Sequence, residues 1–120
     1  TEHGEVELIR TAAGMDDLSL RAAVANGRAG IVLEGIGPGL VPPAILGGID
    51  EAIAAGIPVI IASRCAAGRN FTGTYDVAGG EADLARRGAT FAGYNSGIKA
   101  RVRLIIGLQL GLGAAEIFAD

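Results

Sequence analysis

The sequence has no tryptophan, one cysteine, one histidine and one methionine among its 120 residues. The lone Cys65 excludes an internal disulfide, so nothing in the chain requires an oxidising compartment. The lone His3 stands near the amino terminus, where chains fray, which speaks against a Ser-His-Asp arrangement within these residues. Cysteines and histidines are too few for a zinc cluster, and no metal or cofactor is expected. Five aromatic side chains are too few for a base-stacking platform. Positive charge is scarce: ten Lys and Arg stand against thirteen Asp and Glu, and the longest basic run is Arg86-Arg87. A phosphate-backbone binding face is therefore not expected, and no nucleic-acid partner. The longest apolar stretch, Val102 to Ala119, is broken by Arg103, Gln109, Glu116 and three glycines. It falls short of the roughly 20 apolar residues of a membrane span. The first ten residues are polar and acidic and do not read as an export signal, so the expected compartment is cytoplasmic. Asn70-Phe71-Thr72 fits the glycosylation sequon but is read as a chance match.

What is present is glycine and aliphatic side chains: twenty glycines, with 50% of residues hydrophobic and 19% charged. That composition suits one globular domain, residues 1–120, with many tight turns. Val6 to Arg10 reads as a strand. Asp16 or Asp17 caps a helix running to about Ala25, with Leu20 and Val24 on one face and Asn26-Gly27 as its stop. Ala29 to Leu33 is a nearly continuous apolar run, as in a strand buried on both faces. Gly35, Gly37 and Gly39 form a tight loop. Pro42 and Pro43 then open a helix whose buried stripe is Ile45, Ile49, Ala52 and Ile53, ending at Gly56. Ile57 to Ala62 is the third strand, with Pro58 near its start. Ser63 to about Gly80 is irregular. Asp83 to Arg87 forms a short helix and Ala89 to Ala92 a short fourth strand. Ser96 caps a last helix with Ile98, Val102, Ile105 and Ile106 on one face. This order predicts an α/β fold of three layers: a four-stranded parallel sheet, flavodoxin-like, with flanking helices and right-handed crossovers.

Ligands of open parallel sheets gather beyond the carboxyl ends of the strands. In this chain those ends lead into Thr11–Met15, Glu34–Leu40 and Ser63–Gly80. The glycines at 35, 37 and 39 invite a phosphate-cradle reading, yet Leu40 stands where the dinucleotide pattern needs another glycine. A tight strand-to-helix turn is the plainer reading. Arg64, Asp76, Glu81 and Asp83 are polar groups of the long loop region, open to contact with a charged ligand or simply solvated. Cys65 follows Arg64, whose charge favours a thiolate, but a cysteine just past a buried strand is more often a small core residue.

Four stretches in order resemble one family. They are Ala13-Gly14-Met15-Asp16 with Leu20-Arg21-Ala22-Ala23; Gly30-Ile31-Val32-Leu33-Glu34-Gly35-Ile36-Gly37-Pro38-Gly39; Gly56-Ile57-Pro58-Val59 leading to Ser63-Arg64-Cys65 and Gly68; and Lys99-Ala100-Arg101-Val102. Together they resemble the C-terminal domain of the bacterial L-asparaginases over nearly the whole chain. The resemblance implies a two-domain amidohydrolase that converts asparagine to aspartate and ammonia and is built as a homo-oligomer. It implies that the threonine nucleophile lies in a larger N-terminal domain, so no catalytic residue is expected here and the isolated chain is expected to be inactive. The implied partners are that N-terminal domain, a second subunit and a small amino-acid substrate. The family's glycine-rich loop offers an asparagine to the neighbouring subunit's substrate, and Leu40 falls at that position. A loop acid in some members holds the substrate's amino group, for which Asp76 and Glu81 are both candidates. Whether glutamine is also accepted stays open. Two other readings stand beside this one. The first is a stand-alone flavodoxin-like module that binds a nucleotide or other ligand at Gly35–Gly39. The second is an amidotransferase subunit acting on a tRNA-bound amino acid, which the acidic balance does not support.

Overall fold

Alternation along the strands builds the molecule. In a computed structural model, which describes residues 5–37, 39–63 and 77–119, four strands form one sheet: β1 (Val6–Arg10), β2 (Gly30–Gly35), β3 (Val59–Ser63) and β4 (Thr90–Phe91). They lie in sequential order and every pairing is parallel. The expected three-layer α/β architecture is what the structure has. β2 and β3 are central and buried along their whole length. Successive side chains of a strand point to opposite faces. Ile31, Leu33, Val59 and Ile61 thus enter one core, and Val32, Ile60 and Ala62 the other.

Right-handed crossovers between strands laid down in one direction put their helices on one face. Accordingly α1 (Leu18–Ala25), α2 (Leu46–Ala54) and α3 (Glu81–Arg87) contribute Leu20, Ala23, Ile49, Ala52 and Leu84 to the first core. The chain then returns across the opposite face as α4 (Gly97–Gln109) and α5 (Ala114–Ile117), whose Ala100, Leu104 and Ile117 close the second core. None of these helices is long and apolar enough to cross a membrane, among the described residues.

Local chemistry accounts for most of the boundaries. Gly27, Gly56 and Gly88 follow α1, α2 and α3 with positive φ, the left-handed stop that glycine adopts at little cost. Pro43 begins a single 3₁₀ turn, Pro43–Ile45, and the α-helix proper starts at Leu46. The two prolines therefore precede α2 rather than lie in its first turn. Ser96 caps α4, its Oγ accepting from the Lys99 amide at 3.3 Å. At α1 the N-cap position is Asp17, whose side chain makes no capping bond and pairs with Arg21, while the Asp16 carboxylate accepts from the Leu18 amide.

Of the residues the sequence placed on one face of α4, Ile105 packs partly against the second core, while Ile98, Val102 and Ile106 are exposed. The buried positions are Gly97, Ala100, Leu104 and Gly107. The reason is clearance. The helix presses onto the sheet so closely that a Cβ at Gly30 would overlap Leu104, and α5 packs on it so closely that one at Gly107 would overlap Ile117. Small residues on that face allow the approach, and larger ones are turned outward.

Candidate functional site

The parallel register sets the carboxyl ends of the strands side by side: Arg10 pairs with Glu34, Glu34 with Ala62 and Gly35 with Ser63. Each central strand therefore ends its apolar run on a polar side chain at one level. Thr11, Glu34 and Ser63 are buried there. Glu34 accepts from Arg10 Nε at 2.6 Å, and its side chain is 7% exposed against 69% for the arginine. Gly97, the first residue of α4, packs on the Glu34 carboxylate so tightly that any Cβ would overlap it. The carboxylate therefore sits at a helix amino terminus as well as against a guanidinium. Both offset the cost of burying its charge.

The two buried hydroxyls serve the scaffold. Thr11 Oγ1 donates to the Glu34 carbonyl at 2.7 Å, with the Thr11 amide on the same oxygen at 3.1 Å. Ser63 Oγ donates to the Gly37 carbonyl at 2.7 Å. A nucleophilic hydroxyl passes its proton to a base. These two donate theirs to main-chain carbonyls, which cannot take a proton.

The glycine-rich turn is self-contained. The Ile36 amide donates to the Leu40 carbonyl at 2.6 Å, and the Gly39 and Leu40 amides return to the Ile36 carbonyl at 3.2 and 3.0 Å. Ile36 and Leu40 thereby form an antiparallel bridge. Gly35 faces the backbone of Gly39, where a Cβ would fall 2.5 Å from its carbonyl carbon, so only glycine fits. The Val41 amide then donates to the Gly79 carbonyl at 3.0 Å. The amides of residues 36, 39, 40 and 41 are spent within the protein, which argues against a phosphate cradle.

That last bond clasps the turn to the start of α3. Gly79 has φ +82°, and a Cβ on it would overlap the Val41 carbonyl. Asp83 Oδ2 accepts from the Gly79 amide at 2.9 Å and from Arg87 Nε at 3.0 Å. Arg87 continues to Asp50 on α2 at 2.6 Å. The Gly79 amide, with Arg87 behind it, holds the Asp83 carboxyl below its ordinary range, although burial pushes the other way. Asp83 in turn raises the Arg87 guanidinium. Asp83 thus ties the loop to α3 and α2 as part of the scaffold.

The residues singled out from the sequence divide accordingly. Leu40 lies in the clasped turn, half-buried, with its amide and carbonyl both engaged by Ile36. Glu81 is the first residue of α3, 2% exposed, two positions beyond the clasp. The structure brings their two segments together through Val41 and Gly79. Asp76, like Arg64 and Cys65, lies outside the described residues. Thr11, Glu34 and Ser63 open the three loops that the sequence marks for ligands, although none of them was singled out as a site residue. The available signal was a polar residue closing an apolar strand, the position at which parallel sheets present groups to ligands. No group of three potential metal ligands occurs among the described residues. Two shallow depressions of about 420 Å³ each flank β1 instead, and neither touches Leu40 or Glu81. Both are open hollows beside an edge strand. The buried polar groups and braced loops at the carboxyl edge are the stronger mark of a site.

Comparison with known proteins agrees with this geometry. Residues 5–119 match the family model described as the glutaminase/asparaginase C-terminal domain. An L-asparaginase from Bacillus licheniformis is 37% identical over 101 residues, which is 84% of this chain and 31% of the relative. The chain thus spans under a third of the length of the curated relative it matches.

Proposed function

Because this chain belongs to the glutaminase/asparaginase C-terminal domain family, we propose that it is the pocket-shaping and assembly-building domain of an L-asparaginase-type amidohydrolase. The reaction is hydrolysis of the asparagine side-chain amide to aspartate and ammonia, with the nucleophile supplied by another polypeptide segment. The observation that carries this reading is the clasp between the glycine turn and the start of α3. It gives a rigid, amide-spent rim at the carboxyl edge whose hydroxyls are committed to main-chain carbonyls. Among the described residues such a rim can wall and orient a substrate while its two buried hydroxyls bond main-chain carbonyls.

In this role Leu40 offers an apolar wall through its side chain, since its backbone is used up. Asp76 or Glu81 takes the substrate's ammonium group. A charge-assisted hydrogen bond of that kind contributes roughly 1.5–3 kcal/mol to binding, or about ten- to a hundredfold in affinity.

The decisive experiment grafts this chain in place of the matching segment of the Bacillus licheniformis relative. The folded chimera is expected to release ammonia from asparagine, and the 120-residue chain alone to release none. A folded but inactive chimera, or turnover by the chain alone, overturns the reading. In the active chimera, D76N or E81Q is expected to raise KM by about ten- to a hundredfold with kcat largely kept. An unchanged KM in both variants removes the acid from the scheme.

A further inference from the structure

One stretch singled out in the sequence has no part in the site: Lys99-Ala100-Arg101-Val102, near the start of α4. Ala100 is fully buried and lets the helix down onto the sheet. Arg101 is half-buried, and its Nε donates to the Val6 carbonyl at 2.8 Å, 95 positions back in the chain. The importance of that bond lies in where the oxygen points.

A sheet edge presents main-chain N–H and C=O groups onto which another chain can add a strand. This sheet ends on β4 at one side and on β1 at the other. β4 has two residues, too short to hold a further strand, whereas β1 has five. The Glu5 carbonyl and the Thr11 amide, which flank β1, bond across to Ala29 and Glu34 of the β2 segment. Main-chain groups alternate from side to side along a strand. Val6, Leu8 and Arg10 therefore turn theirs to the open edge. The strand also carries Val6, Leu8 and Ile9, residue types that suit strands. The hollows of about 420 Å³ on either side of it leave room for the side chains of an added strand. Left bare, this edge would invite pairing.

We propose that Arg101 is a strap across this open edge, which stops a second copy of the chain from adding a strand to β1. Val6 is the first of the three outward-turned residues, and its carbonyl is taken by the guanidinium. What remains, Leu8 and Arg10, offers no longer a row than β4 does. A strand that paired at Val6 would have to lift the guanidinium off its acceptor and cover a charge left without a partner, which is costly. Arg28 adds charge at the same end through its pairs with Glu5 and Glu7. Charged side chains set on an edge strand are a recurrent means by which sheets refuse a further strand. The inference is independent of the amidohydrolase reading.

Thioflavin T fluorescence of the 120-residue chain in native buffer, at equal concentrations of parent and variants, tests this. Arg101→Leu keeps an apolar stem on the helix and removes the guanidinium. It is expected to speed the growth of dye-positive assemblies by about tenfold or more, with the circular dichroism spectrum of the fresh chain unchanged. Lys99→Leu makes the same change of charge at an exposed position of α4 and is expected to match the parent. Hydrogen exchange locates the contact. The Leu8 and Arg10 amides are expected to be protected in the Arg101→Leu assemblies and to exchange readily in the soluble parent. Where Arg101→Leu does not fold, Arg101→Gln, with a shorter and neutral side chain, carries the same expectations. A folded Arg101 variant that assembles no faster than the parent overturns the proposal. So does a Lys99→Leu chain that assembles as fast as Arg101→Leu, since lost charge or added apolar surface would then be the cause. Assemblies in which the Leu8 and Arg10 amides still exchange freely overturn it as well, because they would have grown from another part of the chain.

Discussion

Gly79 carries φ +82°, and a Cβ built on it would overlap the Val41 carbonyl oxygen, so its lack of a side chain is needed twice over. Gly79→Ala would incur about 1–2 kcal/mol for a left-handed alanine, and displacing the clasp adds about 1–3 kcal/mol of overpacking. Urea unfolding of this variant is expected to show a total loss of about 2–5 kcal/mol. A loss under about 0.5 kcal/mol would mean the clasp is absent. Asp83 gives a second residue-scale prediction. The folded protein holds its carboxyl below the ordinary value, chiefly through the Gly79 amide. Its contribution is therefore fully present above the ordinary carboxylate range and is lost as pH falls through the depressed folded value. Asp83→Asn is expected to cost about 1–3 kcal/mol at pH 7. The gap from the parent chain should narrow steadily below about pH 4. A gap that stays constant from pH 7 to pH 2 would contradict the assignment. The role of Gly79 was not legible in the sequence, because only the folded chain brings its partner Val41 near; Asp83 and Arg87 stand at i,i+4, and what the fold adds there is the bond from Arg87 to Asp50.

Element existence, by contrast, was largely written in local pattern. Each strand and each of the first four helices was expected close to where it lies, and Ser96 was named as the cap of α4. Ser96→Ala is expected to cost about 1 kcal/mol, measured by thermal unfolding. What local pattern did not reveal is which way α4 faces. Periodicity finds an apolar stripe but does not say what covers it, and this helix has two. Its buried stripe reads as glycine, alanine and one leucine, which carries little hydrophobic signal. Its outward stripe, Ile98, Val102 and Ile106, carries much more. Leu104→Ala is expected to cost about 2–5 kcal/mol. Val102→Ala, measured on dilute chain, should stay within about 0.5 kcal/mol. The reverse order would put the helix the other way round.

At the scale of the whole molecule, the winding decides where chemistry can be placed. Strands laid down in one direction send three helices to one face and leave the other to α4 and α5. The carboxyl edge is then rimmed by the loops after β1 and β2 and by residues 77–80, which lead into α3. The glycine pattern on that edge allowed a nucleotide-binding reading from the sequence, whereas the folded turn spends the amides of residues 36, 39, 40 and 41 internally. Titration with mono- and dinucleotides is accordingly expected to leave Tm unchanged. A ligand at 100 times its Kd would add about 2.7 kcal/mol and raise Tm by several degrees. Such a rise would restore the rival reading.

The amino-acid sequence by itself determined the class of fold, the order of its elements and the family. These depend on periodicity, turn chemistry and motif order, all of which act over a few neighbouring residues. Only the tertiary structure decided that Thr11, Glu34 and Ser63 meet at one edge, that Leu40 and Glu81 lie on two clasped segments, and that the most apolar side of α4 faces outward. Those outcomes depend on contacts between residues more than twenty positions apart and on the clearance between helix and sheet. Distances of that kind come into being only when the chain closes on itself.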